Sequence, residues 1–430
     1  MYLALPAIAA KAAEAQFNAA RLGTVYGFAY LRGFLHALYD KSQDGADMYS
    51  KWLSRVDSEF DAALKSRNFA SILSDYVDSM IDLRRMFRDA GYPVDYMDRA
   101  FDAYVHNMMV FSNIPGRFNL TPSDVVLTNG KTRLLHYRVD GQKKGAPLLV
   151  IYAPINRYHI LDIEPEKSVV RRLASGGLDT YLLDWGHPGP GDDSLSLKDY
   201  VGYVEAAVDF IKKSGAEKVS ILGYCWGGIM ALIYSALHAD SVNRLALMAV
   251  PVDTSQDDTI LAHWARALDS DRIAEEFGHM DGQMLDLGFI LRNPPRFAFD
   301  KYVRFFEKMH DRGFVDTFTA VERWLYNTPP IPGNLYRDII NGCYKRNALF
   351  KGEMALDGMK VDLSKIDVPV LAIAAEHDDL ASPASTLAVL GAVSSKDKDS
   401  MRMPGGHVGL CVSASAHKSL WPQVARWLSS

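Results

Sequence analysis

The sequence predicts a three-part α/β protein: an all-helical region, then a parallel sheet covered on both faces, with a mainly helical insertion inside the sheet domain. Three observations carry this. Apolar residues recur at helical spacing from residue 5 to about residue 115. Short continuous apolar runs then alternate with helical stretches. The alternation stops between Val252 and Val361 and afterwards resumes. The expected boundaries are 1–118 for the helical region, 119–430 for the sheet domain and 254–360 for the insertion.

At 430 residues the chain is long for one compact unit, and length alone favours more than one. Its 48% hydrophobic and 23% charged residues suit a soluble globular protein. A net charge of −5 gives no support for a nucleic-acid or polyanion partner. Three cysteines, Cys225, Cys343 and Cys411, are too few and too scattered for a disulfide framework or a zinc site. They favour a reduced, intracellular setting, and no metal is expected. The apolar opening MYLALPAIAAKAAEAQF lacks the basic start of a secretion signal, its first cation being Lys11. No run approaches the roughly 18 apolar residues of a spanning helix. A cytoplasmic protein without a transmembrane segment is expected.

In the helical region, Phe28, Leu31, Leu35 and Leu38 recur at spacings of three and four, with Phe34 beside them, and mark one apolar face. Helical patterns follow in SKWLSRVDSEFDAALKS, FASILSDYVDSMIDLRRMFRDAG and VDYMDRAFDAYVHNMMVF, with Gly91 and Pro93 punctuating the last two. Two expectations are open: a bundle packed on itself, or helices docking on a partner or lipid-like surface.

After Pro115 the pattern changes. SDVVLTNGKTRLLHYRVDG places two alternating runs around Asn129-Gly130, a strong hairpin signal. The runs PLLVIYAP, LDTYLLDWG, KVSILGYC, RLALMAVPV, PVLAIAAEHD and SMRMPGGH then read as strands of a parallel sheet. The aromatic-rich insertion, with RNPPRFAF and VERWLYNTPPIP, reads as a cap over the carboxyl edge of that sheet. Ligands of open α/β sheets bind at this edge.

KVSIL as a strand and GIMALIYSALH as a helix flank GYCWGG, where Gly223, Gly227 and Gly228 allow a tight elbow around Cys225. An elbow there lifts the Cys225 sulfur to the top of the sheet and to a helix N-terminus. The helix dipole and a nearby histidine would both favour thiolate. In hydrolase folds with such an elbow the order is nucleophile, acid, histidine. Asp378 ends the strand of PVLAIAAEHD, and Asp379 beside it is a rival acid. His407 lies in the glycine-flanked loop PGGHVG after the last strand, whereas His377 and His417 read as surface or packing residues. The expected constellation is Cys225, His407 and Asp378. An oxyanion hole would use the backbone N–H of Trp226 and a second from Ile155 or Asn156 in the loop after LLVIYAP. Trp324 and other cap aromatics are candidate walls of an apolar substrate tunnel.

Together, YAPINRYHILDIEPEKSVVRRLASGGLDTYLLDWG, GYCWGG, LMAVPVD, VERWLYNTPP, DDLASP and PGGHVGLCVS resemble the catalytic subunit of polyhydroxyalkanoate synthases, most closely the two-subunit class III type. The resemblance covers roughly residues 125 to 430. It implies an α/β-hydrolase fold with an inserted helical cap. It also implies polymerisation of (R)-3-hydroxyacyl-CoA, 3-hydroxybutyryl-CoA above all, into polyester granules by an acyltransferase. The cysteine, histidine and aspartate of that family correspond to Cys225, His407 and Asp378. No cofactor is implied, since CoA is part of the substrate and leaves. Many members carry a histidine where this chain has Asp379, which leaves the acid open. Residues 52 to 115 resemble part of the separate accessory subunit of that class. A fused accessory-like module, a homodimer and a granule-bound location are therefore expected, with a separate accessory subunit as the alternative. Two other readings remain: a cysteine hydrolase of the dienelactone type, and a non-catalytic granule scaffold.

Overall fold

The computed structural model describes residues 5–39, 48–91, 94, 120–139, 145–189 and 191–430. The helical pattern read over 94–111 lies almost wholly outside them, as does Pro93. The sheet has eight strands: β1 (Ser123–Asn129), β2 (Thr132–Tyr137), β3 (Ala146–Ile151), β4 (Leu178–Asp184), β5 (Val219–Tyr224), β6 (Val242–Met248), β7 (Val370–Ala375) and β8 (Lys398–Met403). Their spatial order is β1-β2-β4-β3-β5-β6-β7-β8. The β1–β2 hairpin is antiparallel and turns at Gly130-Lys131, one residue past the expected Asn129-Gly130; β2 pairs antiparallel with β4, and every later pairing is parallel. All residues of β4, β5 and β7 are buried. Both faces of the sheet centre are therefore covered, which is why these strands read as unbroken apolar runs.

The covering helices include α4 (Val169–Ser175), α5 (Leu197–Lys213), α6 (Trp226–Leu237) and the C-terminal Trp421–Ser429. Ser196 and Asp199 close a capping box on α5: the Ser196 N–H and hydroxyl both donate to Asp199. Two orphan donors at the helix start are thereby satisfied. Helix α6 is buried along nearly its whole length behind β5, so the elbow before it rests on a fixed support.

Six helices of at least seven residues form the insertion: α7 (Ile260–Ala267), α8 (Ser270–Phe277), α9 (Gly282–Leu291), α10 (Lys301–Lys308), α11 (Arg312–Leu325) and α12 (Gly333–Ile339). Residues of the insertion bond to the segments that follow three strands. Trp324 donates its indole N–H to the Arg157 carbonyl at 2.6 Å after β3. Trp226, after β5, donates to the Tyr344 hydroxyl at 3.1 Å. Arg292 reaches Asp379, after β7, at 3.2 Å. The insertion thus caps the edge at which the strands point.

The N-terminal helices α1 (Leu5–Tyr39), α2 (Met48–Leu64) and α3 (Arg67–Asp89) pack on each other and on this cap. Their shared core joins Ala29, Val56, Phe60, Leu64 and Phe69 to Trp264 of α7. The Phe69 and Trp264 rings stack with centroids 5.6 Å apart, and the Trp264 indole donates to the Leu64 carbonyl at 3.1 Å. At the α8 end, the buried Glu276 carboxylate accepts from Arg84, Arg85 and Arg88 at 2.7, 2.9 and 3.0 Å. A buried carboxylate needs such partners, because an unpaired charge there costs several kcal/mol. The apolar face marked by Phe28 and Leu31 is not the packed one. Phe28 is 62% and Leu31 48% exposed, and the first helix instead turns Leu22, Val25, Tyr26 and Ala29 inward. Small Ala29 allows close helix approach, while Phe28 and Leu31 fall on the far side. The side chains of Phe34, Leu35 and Leu38 lie outside the described residues.

Candidate active site

Strand β5 delivers Cys225 into a turn of φ 54°, ψ −129°. This backbone is costly for a residue with a Cβ, and such strain persists only where the surroundings over-determine it. Here the Cys225 N–H donates to the Met248 carbonyl at 3.0 Å and the Gly228 N–H to the Cys225 carbonyl at 2.9 Å. The flanking glycines are required by space. A Cβ on Gly223 would lie 2.6 Å from the Gly228 Cα, one on Gly227 2.2 Å from the Ile151 carbonyl oxygen, and one on Gly228 2.1 Å from a Val250 methyl. Gly227→Ala is expected to lower the melting temperature by roughly 5 °C, since a forced backbone shift costs about 1–3 kcal/mol. A thermal-unfolding scan checks this.

His407 and Asp378 come to the elbow from the loops after β8 and β7. The His407 Nδ1 bonds the Asp378 Oδ2 at 2.8 Å, and both side chains are buried. The other carboxylate oxygen, Oδ1, accepts from the Leu380 and Ala381 N–H groups at 2.9 and 3.0 Å. With Nδ1 occupied, Nε2 is the ring nitrogen left for Cys225, one of the groups that act on the imidazole. Burial alone would push the imidazole pKa down. The Asp378 carboxylate and the neighbouring Cys225 overcome this, and it ends above its ordinary value. Asp379 turns away: its half-exposed carboxylate pairs with Arg292. The structure thus brings Cys225, His407 and Asp378 to one place, with His407 and Asp378 hydrogen-bonded to each other. His377 is exposed, and His417 is buried with Nε2 on the Cys411 carbonyl at 2.7 Å.

Trp226 is the first residue of α6, so its N–H has no intrahelical acceptor. Ile155 and Asn156 lie in the turn after β3, and the close approach of Gly227 to Ile151 and Tyr152 sets the start of that loop against the elbow. Asn156 has a positive φ of 59°. Its side-chain amide donates to the Leu325 carbonyl at 2.9 Å and the Thr328 hydroxyl at 2.8 Å, tying the loop to the cap. Trp324 is 4% exposed and is a strut between α11 and Arg157.

The same anchor ends on a buried acid. The Thr328 hydroxyl donates to Asp286, whose carboxyl burial pushes up to about 8, with that hydrogen bond opposing and the Asp281 charge adding. An unfolded Asp titrates near about 3.9. Between these values the folded chain holds a proton that the unfolded chain releases, so this group's contribution to stability falls as pH rises from about 4 to about 8. Asp286→Asn keeps an acceptor for Thr328 without the charge. Its melting temperature relative to the parent is expected to be higher at pH 8 than at pH 5.

Sequence reasoning missed several residues of the site. Tyr224 stacks on the His407 ring with centroids 4.9 Å apart and donates to the His407 carbonyl at 3.3 Å. Its place beside Cys225 in GYCWGG was the available signal. Tyr344 and Arg292 come from the cap, and nothing local marks them.

Strand order, elbow and the placement of histidine and acid define an α/β-hydrolase fold. Residues 158–412 match the family model described as alpha/beta hydrolase fold. Residues 107–173 match the model described as "Poly-beta-hydroxybutyrate polymerase (PhaC) N-terminus". The poly(3-hydroxyalkanoate) polymerase subunit PhaC of Haloarcula marismortui is 40% identical over 72% of this chain and 68% of its own length. That of Haloferax mediterranei is 37% identical over 72% of this chain and 64% of its own length. That of Allochromatium vinosum is 36% identical over 72% of this chain and 89% of its own length. The chain belongs to the PhaC family of poly(3-hydroxyalkanoate) polymerases.

Proposed function

We infer that the chain is a polyhydroxyalkanoate synthase that polymerises (R)-3-hydroxyacyl-CoA to polyester through an acyl-cysteine, with release of CoA. The observation that supports the mechanism is the buried, hydrogen-bonded pair Asp378–His407 beside the strained Cys225 elbow at the head of β5. The Cys225 thiol gives its proton to His407 Nε2 and Sγ attacks the thioester carbonyl, while the Trp226 N–H and an N–H of Ile155 or Asn156 hold the developing oxyanion. The tetrahedral adduct collapses, the carbon–sulfur bond to CoA breaks, and His407 Nε2 gives the departing sulfur its proton. One thioester has replaced another, so the acyl group remains activated; a serine ester would lose that activation. The hydroxyl of a second 3-hydroxyacyl unit or of the growing chain then gives its proton to His407 and attacks the acyl-cysteine. An oxygen ester forms and the Cys225 thiol is regenerated. Asp378 orients the imidazole and stabilises its cation. The cap favours transfer over hydrolysis by excluding water, and Trp324 holds its edge to the loop after β3. The scheme needs no metal or cofactor.

The decisive assay incubates the purified chain alone with 3-hydroxybutyryl-CoA. CoA release together with insoluble polyester is expected. Free hydroxyacid without polymer would favour the dienelactone-type hydrolase, and no CoA release would favour the non-catalytic scaffold. Helices packed on the cap support a chain that works without a separate accessory subunit; activity that appears only on adding one would overturn this. Among the described residues no helix is long and apolar enough to cross a membrane. Association with the granule surface in the cytoplasm, through the exposed Phe28–Leu31 face, and a homodimer complete the proposal.

A further inference from the structure

Three consecutive cap residues at the end of α9 connect the N-terminal helices to the acid loop. The Leu291 carbonyl accepts from the Tyr26 hydroxyl of the first helix at 2.8 Å. The Asn293 amide donates to Asp57 of the second helix at 2.9 Å. Between them, Arg292 points the other way. Its Nε reaches Asp379 Oδ2 at 3.2 Å, its Nη1 donates to the Phe289 carbonyl at 3.1 Å, and its guanidinium lies over the Phe297 ring at 4.0 Å. The side chain is 11% exposed. These contacts hold a buried cation on Asp379, the neighbour of Asp378 in the chain, and at the cavity that Asp378 also lines; Asp378 is among the charges that act on it.

We propose that Arg292 is a positioning residue for the Asp378–His407 pair, and that the N-terminal helices hold it in place by gripping Leu291 and Asn293. This rests on the reading of Asp378 and His407 as the acid and base of the site. Pairing with Arg292 draws Asp379 away from His407, so only one of two adjacent carboxylates meets the imidazole. The net charge near Asp378 is then set by a cap residue whose position depends on the helices.

Other charges around Asp378 are accounted for. On its inner side lie His407, with Cys225 and Tyr224 beyond it. On its outer side a cavity of about 450 Å³ separates it from the second helix. There Lys65 pairs with Asp61 and Asp258 at 2.8 and 2.9 Å, Asp57 is held by Asn293, and the exposed Arg296 lies beyond Arg292. The Arg292–Asp379 pair is thus a charge pair outside the triad, at the residue next to Asp378, that a substitution can unbalance.

The test reads the pH dependence of kcat for CoA release from 3-hydroxybutyryl-CoA. Losing a cation raises the proton affinity of nearby carboxylates, and losing an anion lowers it. Arg292→Gln is expected to move the acid limb up, and Asp379→Asn to move it down, each by about one pH unit. Arg292→Lys keeps the charge and should keep the limb, even if kcat falls. A merely structural role would lower kcat in both variants without opposite shifts, and that result overturns the proposal. For the grip, Tyr26→Phe and Asp57→Ala should each lower kcat a few-fold at unchanged KM, and neither should lower it further in the Arg292→Gln background. Unchanged kcat in the parent, or an equal further loss without Arg292, overturns the grip. If Asp378→Asn retained parental kcat, the reading of the triad itself would fail; a dead Asp378→Asn with parallel limb shifts would sink only the inference.

Discussion

Cys225→Ala is expected to abolish CoA release, by a factor of roughly 10⁴ or more, with the fold intact. Loss of a nucleophile that acts as a unit with its base removes nearly the whole covalent route. Alanine keeps the Cβ that the strained turn already accommodates, and the two backbone hydrogen bonds that fix the turn do not involve sulfur. Thermal unfolding should therefore stay near the parent while CoA release vanishes. Cys225→Ser separates chemistry from shape. An acyl-serine is an ordinary ester, so any residual turnover should give less polymer per CoA released than the parent. Full activity in Cys225→Ala would refute both the acyl-cysteine route and the reading of the elbow.

Asp378→Asn should lower kcat by about 10³-fold or more, the scale seen when the acid of a triad is neutralised without loss of shape. The cause is a tautomer. Two backbone N–H groups hold the Oδ1 of Asp378, so an asparagine there keeps its carbonyl oxygen on them. Its NH₂ group then faces His407 Nδ1, which must become an acceptor, and the ring proton moves to Nε2. That nitrogen can no longer take a proton from the thiol or from the attacking hydroxyl. Asp379→Asn lacks this effect, because its carboxylate faces Arg292, and its loss in kcat should stay within about one order of magnitude. Comparable losses in the two variants would contradict the assignment of roles. Steady-state CoA release across pH measures both.

Much of the sheet was legible from local chemistry. Continuous apolar runs gave β3, β4, β5, β6 and β7, because strands covered on both faces have no polar side. Asn129-Gly130 gave the β1–β2 turn to within one residue, because a tight hairpin needs a residue that tolerates positive φ, here Gly130. The elbow was legible through Gly223, Gly227 and Gly228, whose close neighbours leave no room for a Cβ. The first helix was legible as a helix but not in orientation. Phe28 and Leu31 carry the stronger apolar signal, yet Ala29 and Tyr26 make the contacts. A helix face is chosen by the shape of what it meets, and what it meets here is Phe60 and Phe69 of the next two helices and Leu291, far away in the chain.

What the sequence alone determined is therefore the fold class, the strands, the elbow and the family, since each depends on short-range pattern or motif. Only the tertiary structure decided which of two adjacent carboxylates meets His407, and that the N-terminal helices rest on the cap. Asp378 and Asp379 are chemically identical. The turn after β7 gives one to two backbone donors and an imidazole, and Arg292 of the cap takes the other. That choice depends on three segments distant in sequence, and no local pattern encodes it.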